Sequence, residues 1–270
     1  MEIDRISFVA DFAKHIRVKK DGVFDYNDYL PIQCSQARRT FSKWPYRYQI
    51  VTDDGFTIFL ADRQAPVPPI RFDFNPQTTE YKRWLESFAG SLVNVRVTRL
   101  DYAQDYDFDL SGVHFQLETA VKSCQFRSRS NKLETLYLGA QQSPLRFRIY
   151  NKGLEQKEDT VRWRIEAQLR FKPADDWWYA MPFEKFVMTR PTWDGLKIAE
   201  RAMLSYLHEN PNGWSELSRN SAVKYKKIMK EQGQAPDFIH PHSIYQKQCV
   251  KLKKYVLEIL NLTSYRPIDY

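Results

Sequence analysis

Cysteine is scarce: three in 270 residues, Cys34, Cys124 and Cys249, all far apart. With no CxxC pair and no zinc-ligand spacing, a disulfide framework and the common zinc sites are excluded, and reduced thiols in a cytoplasmic protein are expected. No stretch approaches the roughly 18 apolar residues that span a bilayer. The first residues, MEIDRISFVADFAKH, are acidic early and lack the apolar run of a signal peptide. Histidine is also sparse, with five: His15, His114, His208, His240 and His242. Only His240-Pro241-His242 approaches a His-apolar-His metal motif, and its Pro-flanked surroundings (APDFIHPHSIY) have no strand character. P-loop, GxGxxG, GxSxG and HExxH patterns are missing, which removes NTPase, dinucleotide, esterase and zincin chemistry. So is the His–Arg pair ahead of a C-terminal tyrosine that a tyrosine recombinase requires.

What is present is a basic, aromatic-rich chain. Hydrophobic residues make up 43% and aromatics 15%, ample for a core, while the net charge of +8 and pI near 9.2 favour a polyanionic partner, nucleic acid before membrane. Residues 1–75 alternate short apolar runs with turn signals (VKKDGVFDY, RYQIVTDDGFTIFLADR, PIRFDFNP), and Asp54-Gly55 is a hairpin signal. Residues 77–91 read as a helix with Tyr81, Trp84, Leu85 and Phe88 on one face and a stop at Gly90. A helix or loop is expected over 112–130. A hairpin then joins LETLYLG to LRFRIYN, and VRWRIEAQLRF closes the core.

From about Arg190 the texture becomes helical. Between Gly213 and Tyr255 nine Lys/Arg face three acids, as in a DNA-contacting module. The expected fold class is therefore α+β: a central, mainly antiparallel, curved sheet with flanking helices and a basic helical C-terminal region. Residues 1–190 read as the sheet domain, and 191–270 as a helical region packed on it.

Three strands carry the chemistry. Period-2 alternation puts Arg99, Asp101 and Asp105 on one face of TRLDYAQDY, Arg146, Arg148, Tyr150 and Lys152 on one face of RFRIYNKGLE, and Arg162, Arg164 and Glu166 on one face of RWRIEAQLR. As neighbours they would gather carboxylates, cations and a tyrosine on a single wet surface. That set suits phosphoryl transfer onto tyrosine. A phenol has a pKa of about 10 and needs help, which a divalent cation on oxygen ligands such as Asp101 and Glu166 would give. Asp105 is a further ligand or a partner behind them, and Lys152 and Arg148 would neutralise charge on the phosphate.

Five segments, PIRFDFNP (69–76), TRLDYAQDY (98–106), TLYLGAQQSPLRFRIYNKGLEQK (135–157), RWRIEAQLR (162–170) and WSELSRNSAVKYKKIMKE (214–231), resemble in order the rolling-circle plasmid replication initiators of Gram-positive bacteria, the Rep_trans group, which includes relaxases of integrative elements. The specific part is RIYNK followed by a WRxE strand. The resemblance implies a metal-dependent (Mg2+ or Mn2+) DNA nickase and strand transferase. Tyr150 would be the nucleophile, assisted by Arg148 and Lys152, with Asp101, Glu166 and less firmly Asp105 as metal ligands. It places origin recognition in 217–227, with Arg219, Asn220, Lys224 and Lys227 as DNA contacts. It further implies a homodimer that nicks a hairpin in double-stranded plasmid origin DNA, stays on the 5′ end of the nicked single strand and recruits a PcrA-type helicase. The alternatives are a conjugative relaxase with the same chemistry and a DNA-binding protein that has lost cleavage.

Overall fold

The computed structural model describes residues 1–13, 38–39, 45–61, 65–120, 122–172, 175–191, 196–234 and 239–263. The segment VKKDGVFDY, Cys34 and His15 lie outside them. The strands are β1 (Glu2–Phe12), β2 (Arg38–Arg39), β3 (Tyr46–Val51), β4 (Thr57–Ala61), β5 (Ile70–Phe74), β6 (Leu92–Tyr106), β7 (His114–Leu117), β8 (Ser123–Arg127), β9 (Leu133–Leu138), β10 (Leu145–Asn151), β11 (Trp163–Arg170), β12 (Phe186–Pro191) and β13 (Gly233–Gln234). The α-helices are α1 (Tyr81–Glu86), α2 (Lys152–Glu155), α3 (Ile198–Glu209), α4 (Arg219–Gln232) and α5 (Pro241–Asn261). None is long and apolar enough to cross a membrane.

Ten strands form one sheet in the order β2-β3-β4-β5-β1-β6-β11-β10-β9-β8, antiparallel throughout. The expected α+β class is what the chain adopts. Turn chemistry sets the hairpins. At Asp54-Gly55, Gly55 takes φ +88° and its N–H donates to the Thr52 carbonyl at 2.9 Å, a backbone shape that suits glycine. Residues 112–130, expected as helix or loop, instead hold β7 and β8. β7 pairs with β12, some seventy residues later in the chain, so no local pattern marks it. The helix expected over 77–91 is regular only from Tyr81 to Glu86. Turns follow to Gly90 at φ +77°, yet Tyr81, Leu85 and Phe88 are buried as the spacing requires.

Alternation along the strands divides the sheet into two faces. One is apolar (Ile6, Phe8, Phe72, Leu100, Tyr102, Phe147, Ile149, Ile165) and belongs to a buried cluster with Tyr81 and Leu85 of α1 and Tyr245, Leu252, Val256 and Ile259 of α5. Tyr245 meets Tyr102 edge-on at 5.2 Å. The other face carries the charged residues.

The sheet is also built twice. In each half a long strand (β1 or β6) is followed by a four-stranded meander (β2–β5 or β8–β11) whose last strand returns to pair with it. An approximate two-fold axis through the Arg5–Asp101 pair relates the halves. It carries Arg71 and Asp73 of β5 onto Arg164 and Glu166 of β11, and Phe59 of β4 onto Tyr150 of β10. The first half has a phenyl ring where the second has a phenol.

Candidate functional site

Strand register places the site residues in rows across the charged face. Asp105, Arg164, Tyr150 and Thr135 lie side by side on β6, β11, β10 and β9. The next row is Ala103, Glu166, Arg148 and Tyr137, and the row after it Asp101, Gln168 and Arg146. Direct cross-strand neighbours stand about 4.5–5.5 Å apart and diagonal ones about 7–8 Å. Glu166 is thus diagonal to both Tyr150 and Asp101, and its direct neighbour on β6 is the small Ala103.

These groups share a face, as their alternation requires, but it is not a wet one. Tyr150 and Glu166 are each 4% exposed and Asp101 is 1% exposed. Ion pairing makes such burial tolerable. The Arg99 guanidinium forks onto both oxygens of Asp101, its Nε donating to Oδ1 at 2.8 Å. Glu166 accepts from Gln168 Nε2 at 2.8 Å and has Arg148 Nη1 at 4.0 Å. Arg164 donates to Asp105 (Nη2 to Oδ2, 3.0 Å), to Glu2 (2.6 Å) and to Asp4, so one guanidinium ties β11 to β6 and β1. Neither Glu2 nor Asp4 is identifiable as a site residue from sequence, because the β1–β6 pairing has no local signature.

Lys152 is the first residue of α2 rather than the next pleat of β10, and its Nζ still reaches Asp105 Oδ2 at 3.2 Å. The backbone fixes α2. Asn151 Oδ1 accepts from the Leu154 N–H at 2.9 Å. Gly153 approaches the segment leading into β11 so closely that a Cβ there would sit 2.2 Å from the Thr160 carbonyl oxygen. This docking also sets Glu155, which binds Arg148 Nη2 at 2.6 Å. The Arg148 guanidinium in turn lies 3.8 Å from the centre of the Tyr150 ring.

The electrostatics follow from burial. Burial pushes the Asp101 carboxyl up to about 7, with Glu166 adding to the rise and Arg99 and Arg5 opposing it. Burial also raises the Tyr150 phenol well above its ordinary value; Glu166 and Glu155 add to this, and Arg164 and Arg148 pull it down without balancing. For Asp105, burial raises and the Arg164 and Lys152 contacts lower, leaving it below the ordinary carboxyl value. Two buried carboxylates, Asp101 and Glu166, therefore repel each other at the centre of the face, while the Asp105 oxygens already face two cations. Such a pair suits magnesium, which is commonly held by one or two carboxylates plus substrate phosphate and water. A closed cage is not built: among the described residues no three His, Cys, Asp or Glu could hold a metal ion together.

In the related half, Asp73 accepts from Arg5 and from Ser7 Oγ (2.9 Å), but Val9, Tyr46, Phe59 and Ala61 form a buried apolar cluster there. The pattern Arg71-x-Asp73 in IRFDF was the available sequence signal for this second pole, since it repeats Arg164-x-Glu166.

Away from the sheet, Arg219, Asn220, Lys224 and Lys227 are all exposed on α4. At 3.6 residues per turn they share one arc of the helix with the exposed Lys226 and Lys230. Lys224 binds Glu200 of α3 at 2.8 Å, and Lys227 stands 3.7 Å from Glu231. His240 caps α5, its Nδ1 accepting from the His242 N–H at 3.1 Å, so the His-Pro-His motif has a structural task. Cys124 and Cys249 are free thiols.

No protein-family profile matches the chain. Among curated proteins it is similar to replication initiation proteins of Staphylococcus aureus. One is 33% identical over 173 residues, covering 60% of this chain and 54% of the relative. Another is 33% identical over 173 residues, covering 60% and 55%. The chain thus spans about half the length of these relatives. Among solved structures, a rolling-circle replication initiator protein from Geobacillus stearothermophilus aligns over 64% of this chain and 74% of its own, at 19% identity and a TM-score of 0.41.

Proposed function

We propose that this chain is the nicking and strand-transfer part of a plasmid rolling-circle replication initiator. The observation that carries the reading is the phenol at Tyr150, set beside Arg164 and Arg148 and diagonal to Glu166, where the two-fold related position holds Phe59. The replication initiation proteins among its relatives favour replication over conjugative transfer.

In this reading Tyr150 Oη attacks a DNA phosphorus. A bond forms between phosphorus and the phenolic oxygen, the bond to the 3′-oxygen breaks, and the 5′ end stays on the protein as a phosphotyrosine ester. The phenol's proton leaves to water and the departing oxygen takes one up as a 3′-hydroxyl. The diester's energy is conserved, so a free 3′-hydroxyl can reverse the step. Asp101 and Glu166 would hold a magnesium or manganese ion, which when bound supplies positive charge to polarise the phosphate. Arg148, now on Glu155, would turn to the phosphate with Lys152 and offset charge building on its oxygens. Asp105 would keep Lys152 and Arg164 in place. Origin duplex would lie along the exposed arc of α4, at Arg219, Asn220, Lys224 and Lys227, with its nicked strand on the sheet. A homodimer and a PcrA-type helicase partner belong to the same proposal, on the resemblance alone.

The test is Tyr150→Phe. The variant loses covalent attachment to a supercoiled plasmid bearing the origin and keeps duplex binding. Nicking at the wild-type rate would remove Tyr150 from the role.

A further inference from the structure

The charged face continues past Tyr150 to the β8 edge, where its chemistry changes. Phe126 is 54% exposed and pairs across with Thr135, which pairs with Tyr150. Phe126 thus stands in the row of Tyr150, two strands away, at about 10 Å. Single exposed apolar residues are ordinary on a surface, but this one is part of an array. Its ring meets Tyr137 edge-on at 6.1 Å, and the Arg146 guanidinium lies 4.0 Å from the centre of the Tyr137 ring. Arg148 over Tyr150 repeats the arrangement one step inward. Rings and guanidinium planes therefore alternate across β8, β9 and β10. The acids that join them, Glu155 of α2 and Glu166 of β11, both lie within reach of Arg148. Positive charge beside an exposed aromatic ring, here Phe126, is a surface that unpaired nucleic acid prefers, since every base can stack whatever its sequence.

We propose that Phe126 and Tyr137 form a stacking platform for unpaired nucleobases of the strand held at Tyr150, about one or two nucleotides from the reacting phosphate. The inference rests on the reading of this face as the DNA-cleaving one. Arg146 serves the backbone of the same strand.

The probe is a sixteen-thymidine oligonucleotide carrying 5-iodo-2′-deoxyuridine, photocrosslinked to the full chain and mapped by mass spectrometry, alongside binding by fluorescence anisotropy. The expected crosslink is to Phe126 or Tyr137, in wild-type protein and in Tyr150→Phe alike, so the result stands or falls separately from the nucleophile. Phe126→Ala weakens oligonucleotide binding by about fivefold to a hundredfold. Phe126→Leu does the same, Phe126→Trp preserves affinity, and duplex binding through α4 is unchanged. Wild-type affinity in Phe126→Ala overturns the proposal, as do crosslinks confined to other residues. Unchanged affinity with a shift from dimer to monomer in sedimentation velocity would make the ring a contact between copies of the chain, which also overturns it.

Discussion

Replacing Arg164 tests how the site is assembled. Arg164 is 4% exposed, and its guanidinium serves Asp105, Asp4 and Glu2 at once. Arg164→Met keeps the stem and removes the charge, leaving two acids of β1 and one of β6 without their shared cation on β11. Losing one partner of a buried ion pair costs about 3–5 kcal/mol. These acids are 42%, 23% and 32% exposed for Glu2, Asp4 and Asp105, and water screens part of the loss. The expected cost is therefore at the lower end, about 3 kcal/mol. For a chain of this size it lowers the melting temperature by about 6–12 °C. The pH dependence has a definite sign. Burial raises the Asp105 carboxyl, but Arg164 and Lys152 bring it below its ordinary value. The pairing therefore stabilises the fold above about pH 4 and is lost as the pH falls through the depressed value. The gap between wild type and variant should be full at pH 7 and close below about pH 4 in urea titrations. An unchanged melting temperature, or a gap that stays constant down to pH 3, would refute the claim that this guanidinium binds the three strands together.

The remaining predictions concern the cation and the duplex. Asp101→Asn and Glu166→Gln each reduce nicking at least about tenfold, with partial rescue by manganese; undiminished wild-type cleavage in EDTA would dismiss the cation. Because burial pushes the Asp101 carboxyl up to about 7 and a ligand must shed its proton, magnesium affinity measured by calorimetry should rise as pH passes through 7. Asp101→Asn should flatten that rise. Lys224→Gln with Lys227→Gln weakens duplex binding and reduces the slope of log affinity against log salt by about 0.9 per lost phosphate contact. An unchanged slope would move the footprint off α4.

Much of this was legible in sequence because β-strand alternation has a period of two. Once TRLDYAQDY, RFRIYNKG and RWRIEAQ are strands, their charged residues share a face, and the register places them in adjacent rows. The Asp54-Gly55 hairpin and the three C-terminal helices carried equally local signals. Alternation does not say whether a charged face is wet. Asp101 and Glu166 are buried through pairing with Arg99, Gln168 and Arg148, which depends on the finished sheet. β7 and β8 were hidden for a related reason. HFQL is short and pairs with a distant strand, and SCQFR is a polar edge strand. The internal two-fold repeat emerges only when Arg71-x-Asp73 and Arg164-x-Glu166 are laid on paired strands.

Mass spectrometry of a trapped protein–oligonucleotide adduct tests the central claim most directly. Nicking a supercoiled origin plasmid in magnesium, followed by nuclease and protease digestion, should leave a nucleotide 5′-phosphate on the peptide containing Tyr150. Attachment at any other residue, or complete nicking with no attachment, would contradict the account.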